Sequence, residues 1–296
     1  MCGNVFRDIL LSLLMKTQSP LLISLLSVVV LSLTACLGTN EDLTEGIDDT
    51  SHPLITHNAL STNGITANGI TANGLSTNGI TKNTTLMSAL QSPETGAYAQ
   101  EFLSYVVSCA LPPSATVSLK LSGRTVKFPG ELNLAPQWAS GTCDQKCQEI
   151  VSACLMSRVN HLGHHIDISM RGSPSISSTL ATSEAERAAF PKEEATYFGN
   201  LFGPKPKLFA CTSATHPELI DRVCGSGQEN HDSCVVEILG TCDDALFDGE
   251  SMAICDSQDA TAGYWSGCKD TSVKRWYRSI TIFRANSDQD NPDGAL

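Results

Sequence analysis

The segment 142-TCDQKCQEIVSACL-155 decides the fold that we predict for the second half of the chain. Thr142 stands three residues before Gln145, which is the pattern of a capping box at a helix N-terminus. Cys147 and Cys154 are seven residues apart and therefore share one face of the predicted helix. We expect the three cysteines of this segment to find disulfide partners elsewhere in the chain.

Regular structure is also predicted before this helix. Ser92-Pro93-Glu94 is typical of the first turn of another helix, because it places a capping serine ahead of a proline and a carboxylate. Side chains that alternate on either side of Ser122-Gly123 predict a β-hairpin over residues 116–128.

The segments after the helix complete the predicted fold. A third helical region is expected to begin at Ser183 and to continue past a proline to about Phe202. Strands are expected at 165–170 and 279–283, and residues 211–268 are expected to be loop-rich, with disulfides in place of regular structure. The predicted fold class is α+β, a disulfide-stapled domain of about three helices and a small antiparallel sheet, preceded by a short pentapeptide-like repeat stalk.

The cysteines indicate an oxidising compartment. The chain has 12 cysteines, of which two, Cys2 and Cys36, lie in the N-terminal segment of the chain. The other ten are even in number, so up to five disulfides are expected. These ten are Cys109, Cys143, Cys147, Cys154, Cys211, Cys224, Cys234, Cys242, Cys255 and Cys268. Cys109 is a candidate partner for Cys154, and the remaining connectivity stays open.

The N-terminus has the pattern of a secretory signal. Residues 21–33 form an uncharged apolar run that is short for a membrane span, and Leu33-Thr34-Ala35-Cys36 follows it. This tetrapeptide resembles the lipobox of bacterial lipoproteins. The resemblance implies that Cys36 is lipidated and becomes the first residue of the mature protein.

The same resemblance implies where the protein is located. Each buried CH2 of an acyl chain contributes about 0.8 kcal/mol to membrane binding. Leu37 follows the cysteine, and a residue other than Asp at this place implies the outer membrane in enteric bacteria. We therefore expect a lipid-anchored protein of the cell envelope, in the outer membrane of a Gram-negative bacterium. A start at Met15 in place of Met1 and an uncleaved anchor that begins near Ile9 are open alternatives.

A repeat with a period of five follows the signal. Residues 58–82 repeat the pattern Asn-(Gly/Ala)-(Leu/Ile)-(Ser/Thr)-x. The pattern is similar to that of pentapeptide-repeat proteins, which form a square solenoid; a flexible stalk and a strip packed on the next domain are the alternatives. We divide the chain into a signal peptide (1–35), a flexible tether (36–57), the repeats (58–83), a cysteine-rich globular domain (84–285) and a polar tail (286–296).

The charge of the chain limits its partners. The formal net charge is -12, and charged residues make up 17% of the chain. Nucleic acid and anionic bilayer surfaces attract Lys and Arg, so neither is expected as a main partner. The lipid anchor is the expected contact with a membrane.

Few residues suggest catalytic chemistry. His161, His164 and Asp167 could ligate zinc or copper, but they span a predicted helix-to-strand turn, and a solvated polar turn is the interpretation that this pattern favours. Glu193 could be one of two carboxylates for glycoside hydrolysis. The sequence contains no nucleophile elbow, phosphate-binding loop or dinucleotide motif. We expect no metal and no cofactor.

Parts of the predicted domain resemble a group of uncharacterised cysteine-rich lipoproteins of myxobacteria. Four segments carry the resemblance, at residues 102–111, 134–139, 151–160 and 197–202. The resemblance implies a shared domain, but the group has no assigned activity.

These patterns favour a function without catalysis. We expect an envelope lipoprotein that is a surface binding or structural module, with an envelope protein or a polysaccharide as its partner. The alternative is an exported hydrolase or metal-binding enzyme that acts on an envelope or extracellular polymer. Aromatic residues that could stack on sugar rings, or pack in the core, are Trp138, Tyr264, Trp265, Trp276 and Tyr277.

Overall fold

A curled β-sheet is the largest feature of the computed structural model of this protein. The structure describes residues 55–56, 75–162, 165–203, 205–225, 234–243, 253–271 and 275–286. All of them belong to one compact unit, Ser51–Leu296. The predictions for the signal peptide, Cys36, most of the tether, most of the repeat, His164 and most of the tail lie outside the described residues.

Helices and strands are mixed along the described chain. The strands are β1 (Ile55–Thr56), β2 (Thr116–Leu121), β3 (Arg124–Pro129), β4 (Ile168–Arg171), β5 (Lys192–Asn200), β6 (Lys207–Thr212), β7 (Glu237–Thr241), β8 (Ala253–Cys255), β9 (Gly267–Asp270) and β10 (Arg275–Arg284). The α-helices are α1 (Thr77–Lys82), α2 (Thr84–Leu90), α3 (Gly96–Ala110), α4 (Gln145–Ser157), α5 (Glu184–Ala189) and α6 (Asp221–Cys224). Short 3-10 helices lie at Pro136–Ala139, Ser178–Leu180 and Pro217–Ile220.

Strand β10 is the centre of an eight-stranded sheet. Its C-terminal part pairs with β4 on one edge and with β5 on the other, and its N-terminal part pairs with β9, always antiparallel. From β5 the sheet continues through β6 to β7, and the β6–β7 pairing is parallel. Because β9 pairs with β8, and β8 in turn contacts β7, the sheet curls until it is nearly closed into a barrel.

A small apolar core fills the space inside the curled sheet. The ring centroids of Phe198 and Phe209 lie 5.5 Å apart, and the ring of Tyr277 lies 6.3 Å and 6.1 Å from them. Leu239 from β7 and Ala253 from β8 belong to the same buried cluster. The two strands at the open seam therefore share one core, which explains why the sheet closes on itself.

Helix α4 covers the other face of the sheet, where it packs on β5 and β10. Its Ile150, Val151 and Leu155 are fully buried in the larger core of the domain. On β5, Tyr197 belongs to this larger core and its neighbour Phe198 to the barrel core, so the strand is buried on both faces.

The predicted combination of about three helices with a small antiparallel sheet is wrong, because the sheet is large and mixed. Residues 192–200, which were predicted to be helical, form β5 and pair with β10 and β6. Residues 211–268, which were predicted to be loop-rich, contain the end of β6, all of β7 and β8, and the start of β9. Non-local pairing and burial on both faces override the local pattern in these segments.

The N-terminus of α4 also differs from the prediction. Asp144 caps the helix in place of Thr142, and its Oδ1 accepts a hydrogen bond from the Cys147 amide at 2.8 Å. Cys143 therefore lies outside the helix and forms a disulfide with Cys147. The expectation that each cysteine of this segment finds a distant partner is wrong for this pair.

Local signals at two other places indicate elements that the structure contains. Helix α3 begins at Gly96 with Thr95 in the cap position, so the prediction of Ser92-Pro93-Glu94 as its first turn places the start of the helix too early, and β2 and β3 form the hairpin around Ser122-Gly123. Ser122 and Gly123 have φ values of 47° and 82°, and positive φ at both central residues is the requirement of a two-residue hairpin turn.

The described end of the repeat packs against the domain. The side chains of Leu75 and Ile80 are buried, and the Leu75 amide donates to the Trp138 carbonyl oxygen at 2.7 Å. Helix α1 contains the last repeat, and the Ser76 side chain caps its N-terminus. In this short segment the aliphatic positions of the repeat contribute to the core of the domain.

Candidate functional site

Disulfides join all ten cysteines of the predicted domain, so the prediction of disulfide bonding is confirmed. The five pairs are Cys109–Cys154, Cys143–Cys147, Cys211–Cys242, Cys224–Cys234 and Cys255–Cys268. The first of them joins α3 to α4 across the larger core.

Two of these disulfides lie side by side near the seam between β7 and β8. The Sγ atoms of Cys211 and Cys255, which belong to different disulfides, are 3.6 Å apart. Among the described residues, Cys211, Cys242 and Cys255 are the only group of His, Cys, Asp or Glu side chains close enough to share a metal ion. A cysteine binds a metal ion as a thiolate, whereas the sulfurs of these three residues are oxidised in disulfides. We therefore assign them a structural role.

His161 lies beside the end of α6. Its backbone amide donates to the Arg222 carbonyl oxygen at 2.6 Å. Its ring packs on Gly225, where φ is 78° and an added Cβ would lie 2.8 Å from the ring Cδ2. The close approach and the positive φ both explain why glycine occupies position 225.

The sequence candidates are not joined into one site in the described part of the chain. Asp167 is exposed and contacts Nε2 of His165 at 2.9 Å. No hydrogen bond or ion pair between described residues connects His161, Asp167 and Glu193 to one another. The turn around His165 and Asp167 is a solvated polar surface.

Glu193 is held by two side chains, Trp265 and Gln258. It accepts hydrogen bonds from Trp265 Nε1 at 3.2 Å and from Gln258 Nε2 at 2.8 Å. Burial raises the pKa of its carboxyl group, while these hydrogen bonds act in the opposite direction. Each carboxylate oxygen already has a donor, so Glu193 positions Trp265 and Gln258.

The neighbouring Glu194 points to the opposite side of β5 and forms a fully buried ion pair. Arg222 Nε and Nη2 donate to its two oxygens at 2.8 Å and 2.5 Å, and the Tyr197 hydroxyl donates to it at 2.8 Å. Arg222 Nη1 donates to the Val159 carbonyl oxygen at 2.5 Å. Burial, reinforced by the nearby Glu194 charge, raises the pKa of Tyr197 well above its usual range.

A second buried network surrounds Arg171 on β4. Its Nε donates to Ser169 Oγ at 3.0 Å, and Ser169 in turn donates to Glu186 at 2.7 Å. Its Nη2 donates to the Phe190 carbonyl oxygen at 2.5 Å. Burial lowers the pKa of Arg171 to about 10. Since the charged groups of both networks are paired internally, we assign them to stability.

A groove opens between the N-terminal half of α4 and the strands β8, β9 and β10. It has a volume of about 420 Å³ and is open to solvent. It is lined by Lys146, Glu149, Asp256, Ser266, Gly267, Trp276, Tyr277 and Arg278. Its volume lies within the range of about 300–1,000 Å³ that is usual for small-molecule sites.

The indole of Trp276 forms one wall of the groove and is 49% exposed. Side chains alternate along β10, so Trp276 points outward while Tyr277 is buried in the barrel core. Lys269, on the paired strand β9, places its Nζ 5.1 Å from the centroid of the Trp276 ring. Exposed aromatic rings of this kind are typical of recognition surfaces, because the apolar face remains available to a ligand.

Both carboxylates of the groove are already bound by donors of the protein. Glu149 accepts from Arg275 Nη2, from Gln145 Nε2 at 3.2 Å and from the Arg278 amide at 3.4 Å. Glu149 is only 4% exposed. Its charge is therefore offset by Arg275 within the protein.

Asp256 is bound in the same way by the start of β9. One of its oxygens accepts from the amides of Ser266 and Gly267 at 3.0 Å and 3.2 Å, and the other accepts from Ser266 Oγ. These contacts hold the wall of the groove in place and occupy the acceptors of Asp256.

The cationic side chains of the groove have no such partners among the described residues. Neither Lys146 Nζ nor the Arg278 guanidinium group makes a hydrogen bond or ion pair with any described residue. The donors that this groove offers to a ligand are therefore mainly cationic.

Sequence reasoning identified only part of this groove. Trp276 and Tyr277 were named as aromatic candidates, but Lys146, Asp256 and Arg278 were not. Their positions lie far apart in the sequence, and only the pairing of β8, β9 and β10 under α4 brings them together. The one signal available in the sequence was that Trp276 and Arg278 are two positions apart, as residues on the same face of a strand are.

Comparison with known proteins identifies the repeat. Residues 55–83 match the family described as GLTT repeat (6 copies), which confirms that a short repeat lies in this part of the chain. No curated protein and no solved structure matches the chain. Among the described residues, we find no helix with the length and apolarity needed to cross a membrane.

Proposed function

We propose that this chain is a lipid-anchored envelope protein whose cysteine-rich domain binds polysaccharide in the groove beside Trp276. The observation that carries the proposal is an indole that is 49% exposed on the wall of a groove lined by polar side chains. Aromatic rings bind the apolar faces of sugars, and polar neighbours bind their hydroxyl groups.

The proposed location rests on the sequence. The lipobox-like Leu33-Thr34-Ala35-Cys36 supports acylation of Cys36 and attachment to the outer membrane. Disulfide bonding of the ten downstream cysteines supports an exported protein, because structural disulfides persist in oxidising compartments. The resemblance to cysteine-rich lipoproteins of myxobacteria supports the same location.

Trp276→Ala is expected to weaken binding to polysaccharide about tenfold, which corresponds to about 1.4 kcal/mol. The reason is the loss of the exposed indole from the wall of the groove. The measurement is retention of the purified, oxidised full chain on a panel of immobilised neutral and acidic polysaccharides. Tyr98→Ala is the matched control, because Tyr98 is 41% exposed but lies on α3. Equal retention of the wild type and Trp276→Ala, or no retention on the whole panel, would contradict the proposal.

Cys36→Ser is expected to move the protein from the membrane fraction to the soluble fraction, since the acyl chains would be the anchor. Cys2→Ser is the matched control and is expected to leave the protein on the membrane. The readout is fractionation together with the mass of the N-terminal peptide. A Cys36→Ser protein that stays on the membrane with an unprocessed N-terminus would instead indicate an uncleaved anchor.

A further inference from the structure

We infer that the groove selects an acidic polysaccharide, with a sugar ring against Trp276 and a carboxylate of the sugar bound by Arg278 and Lys146. This inference rests on the proposed function and adds the chemical class of the ligand. It depends on which polar groups of the groove remain available after the contacts within the protein are counted.

The available groups are donors. The carboxylates of Glu149 and Asp256 accept hydrogen bonds from the protein, whereas Lys146 and Arg278 have no partner among the described residues. A neutral sugar both donates and accepts hydrogen bonds and would leave two cationic groups without a counter-charge. A carboxylate accepts two parallel hydrogen bonds from a guanidinium group, and such charge-assisted bonds are roughly twice as strong as neutral ones.

The surrounding charges favour the same ligand. Lys269 lies against Trp276, and Arg275 offsets Glu149 at the back of the groove. With Lys269 and Arg275 counted, four cationic side chains stand against the two carboxylates Glu149 and Asp256 in and beside the groove, on a chain with a net charge of -12. A chain of this charge repels polyanions at long range, so binding to an acidic polymer requires a specific local site. At an ionic strength of 0.15 M the Debye length is about 8 Å, and charges near the ligand dominate its binding.

The shape of the groove suits a polymer. It is open to solvent, so a sugar chain can enter and leave without being severed at the site. Trp276 and Arg278 lie two positions apart on the same face of β10, a spacing of about 6.6 Å along a strand. This distance is close to the size of a sugar ring with its carboxylate.

The test compares polymers that differ only in charge. Polygalacturonate and alginate are each presented beside their methyl esters, and dextran sulfate serves as a polyanion of different chemistry. We expect the full, oxidised chain to bind at least one of the two uronate polymers at least tenfold more tightly than its methyl ester and than dextran sulfate, at 0.15 M salt.

Variants then assign the binding to the groove. The double variant Arg278→Gln/Lys146→Gln is expected to lose about tenfold or more in affinity for the uronate polymer. Arg124→Gln/Lys127→Gln is the matched control, because it removes the same two charges from exposed positions on the β2–β3 hairpin and should bind as the wild type does. Thermal unfolding of both double variants checks that the fold is intact.

Every other result contradicts the inference, and each one shows which part of it is wrong. If a methyl ester or another neutral polymer binds as tightly as the uronate, and Trp276→Ala weakens this binding about tenfold, the acidic class is wrong while the proposed function stands. If dextran sulfate binds equally, or if both double variants lose affinity equally, the attraction is a general effect of charge. If no polymer in either panel binds, the inference and the proposed function both fail.

Discussion

Arg222→Met is expected to lower the free energy of unfolding by about 3–5 kcal/mol, because it leaves the fully buried Glu194 carboxylate without its counter-charge. Both side chains are 0% exposed, so water cannot replace the lost donors. The Val159 carbonyl oxygen loses its hydrogen bond from Arg222 as well. The effect should exceed that of any single surface substitution in this protein.

Chemical denaturation of the oxidised protein measures this loss. Arg124→Met removes an arginine from an exposed position of the hairpin and should change the free energy of unfolding by less than about 0.5 kcal/mol. The double variant Arg222→Met/Glu194→Met should regain much of the stability, because a buried ion pair can often be replaced by apolar side chains at little cost. A double variant that is no more stable than Arg222→Met alone would show that the unpaired carboxylate is not the cause.

The double variant Cys109→Ala/Cys154→Ala, which lacks the Cys109–Cys154 disulfide, is expected to have a free energy of unfolding that is lower by about 4 kcal/mol. The disulfide spans 45 residues and ties α3 to α4, so it restricts a long segment of the unfolded chain. The entropy of closing a loop increases with the logarithm of its length, which gives a large effect for this pair.

A second disulfide, at the N-terminus of the same helix, is the matched control. Cys143 and Cys147 are four residues apart, so Cys143→Ala/Cys147→Ala should destabilise the domain by only about 2 kcal/mol. Both pairs are buried, so the comparison isolates the effect of loop length from the effect of burial. Equal losses of stability in the two double variants would contradict this explanation.

The predictable parts of the fold are those that local chemistry decides. The hydrogen bond from the Thr95 amide to Ser92 Oγ and the positive φ values at Ser122-Gly123 involve residues close in sequence, and a helix and a hairpin form beside them as the sequence indicates, although the helix α3 begins only at Gly96. The start of α4 shows that local signals do not always identify the residue that caps a helix. Asp144 and Thr142 are both good caps, and the sequence does not say which of them the disulfide between Cys143 and Cys147 favours.

The sheet could not be predicted because its pairings are non-local. In β5, the adjacent Glu193 and Glu194 remove the alternation that marks a strand, yet one glutamate has Arg222 as a buried partner and the other has Trp265. Helix α6, which supplies Arg222, and the segment before β9, which supplies Trp265, are distant in sequence from β5. The short strands β7 and β8 likewise depend on the barrel core that they share.

The candidate site was missed for a related reason. His161, Asp167 and Glu193 were selected for their side-chain chemistry, but each is held by different neighbours in the described structure. The groove instead combines one exposed ring with ordinary lysine and arginine side chains from separate elements. The groove is distinguished by the exposure of its aromatic ring and by carboxylates whose oxygens already accept hydrogen bonds from the protein. Neither property can be predicted without knowing how the strands pair.

Hydroxyl-radical footprinting of the full, oxidised chain with and without bound polysaccharide tests the central claim most directly, because it reports on the wild-type groove. We expect a bound ligand to protect Trp276 from oxidation and to leave the similarly exposed Tyr98 unchanged. Oxidation of Trp276 at the same rate in the free protein and in the saturated complex would contradict the claim that the ligand lies in this groove.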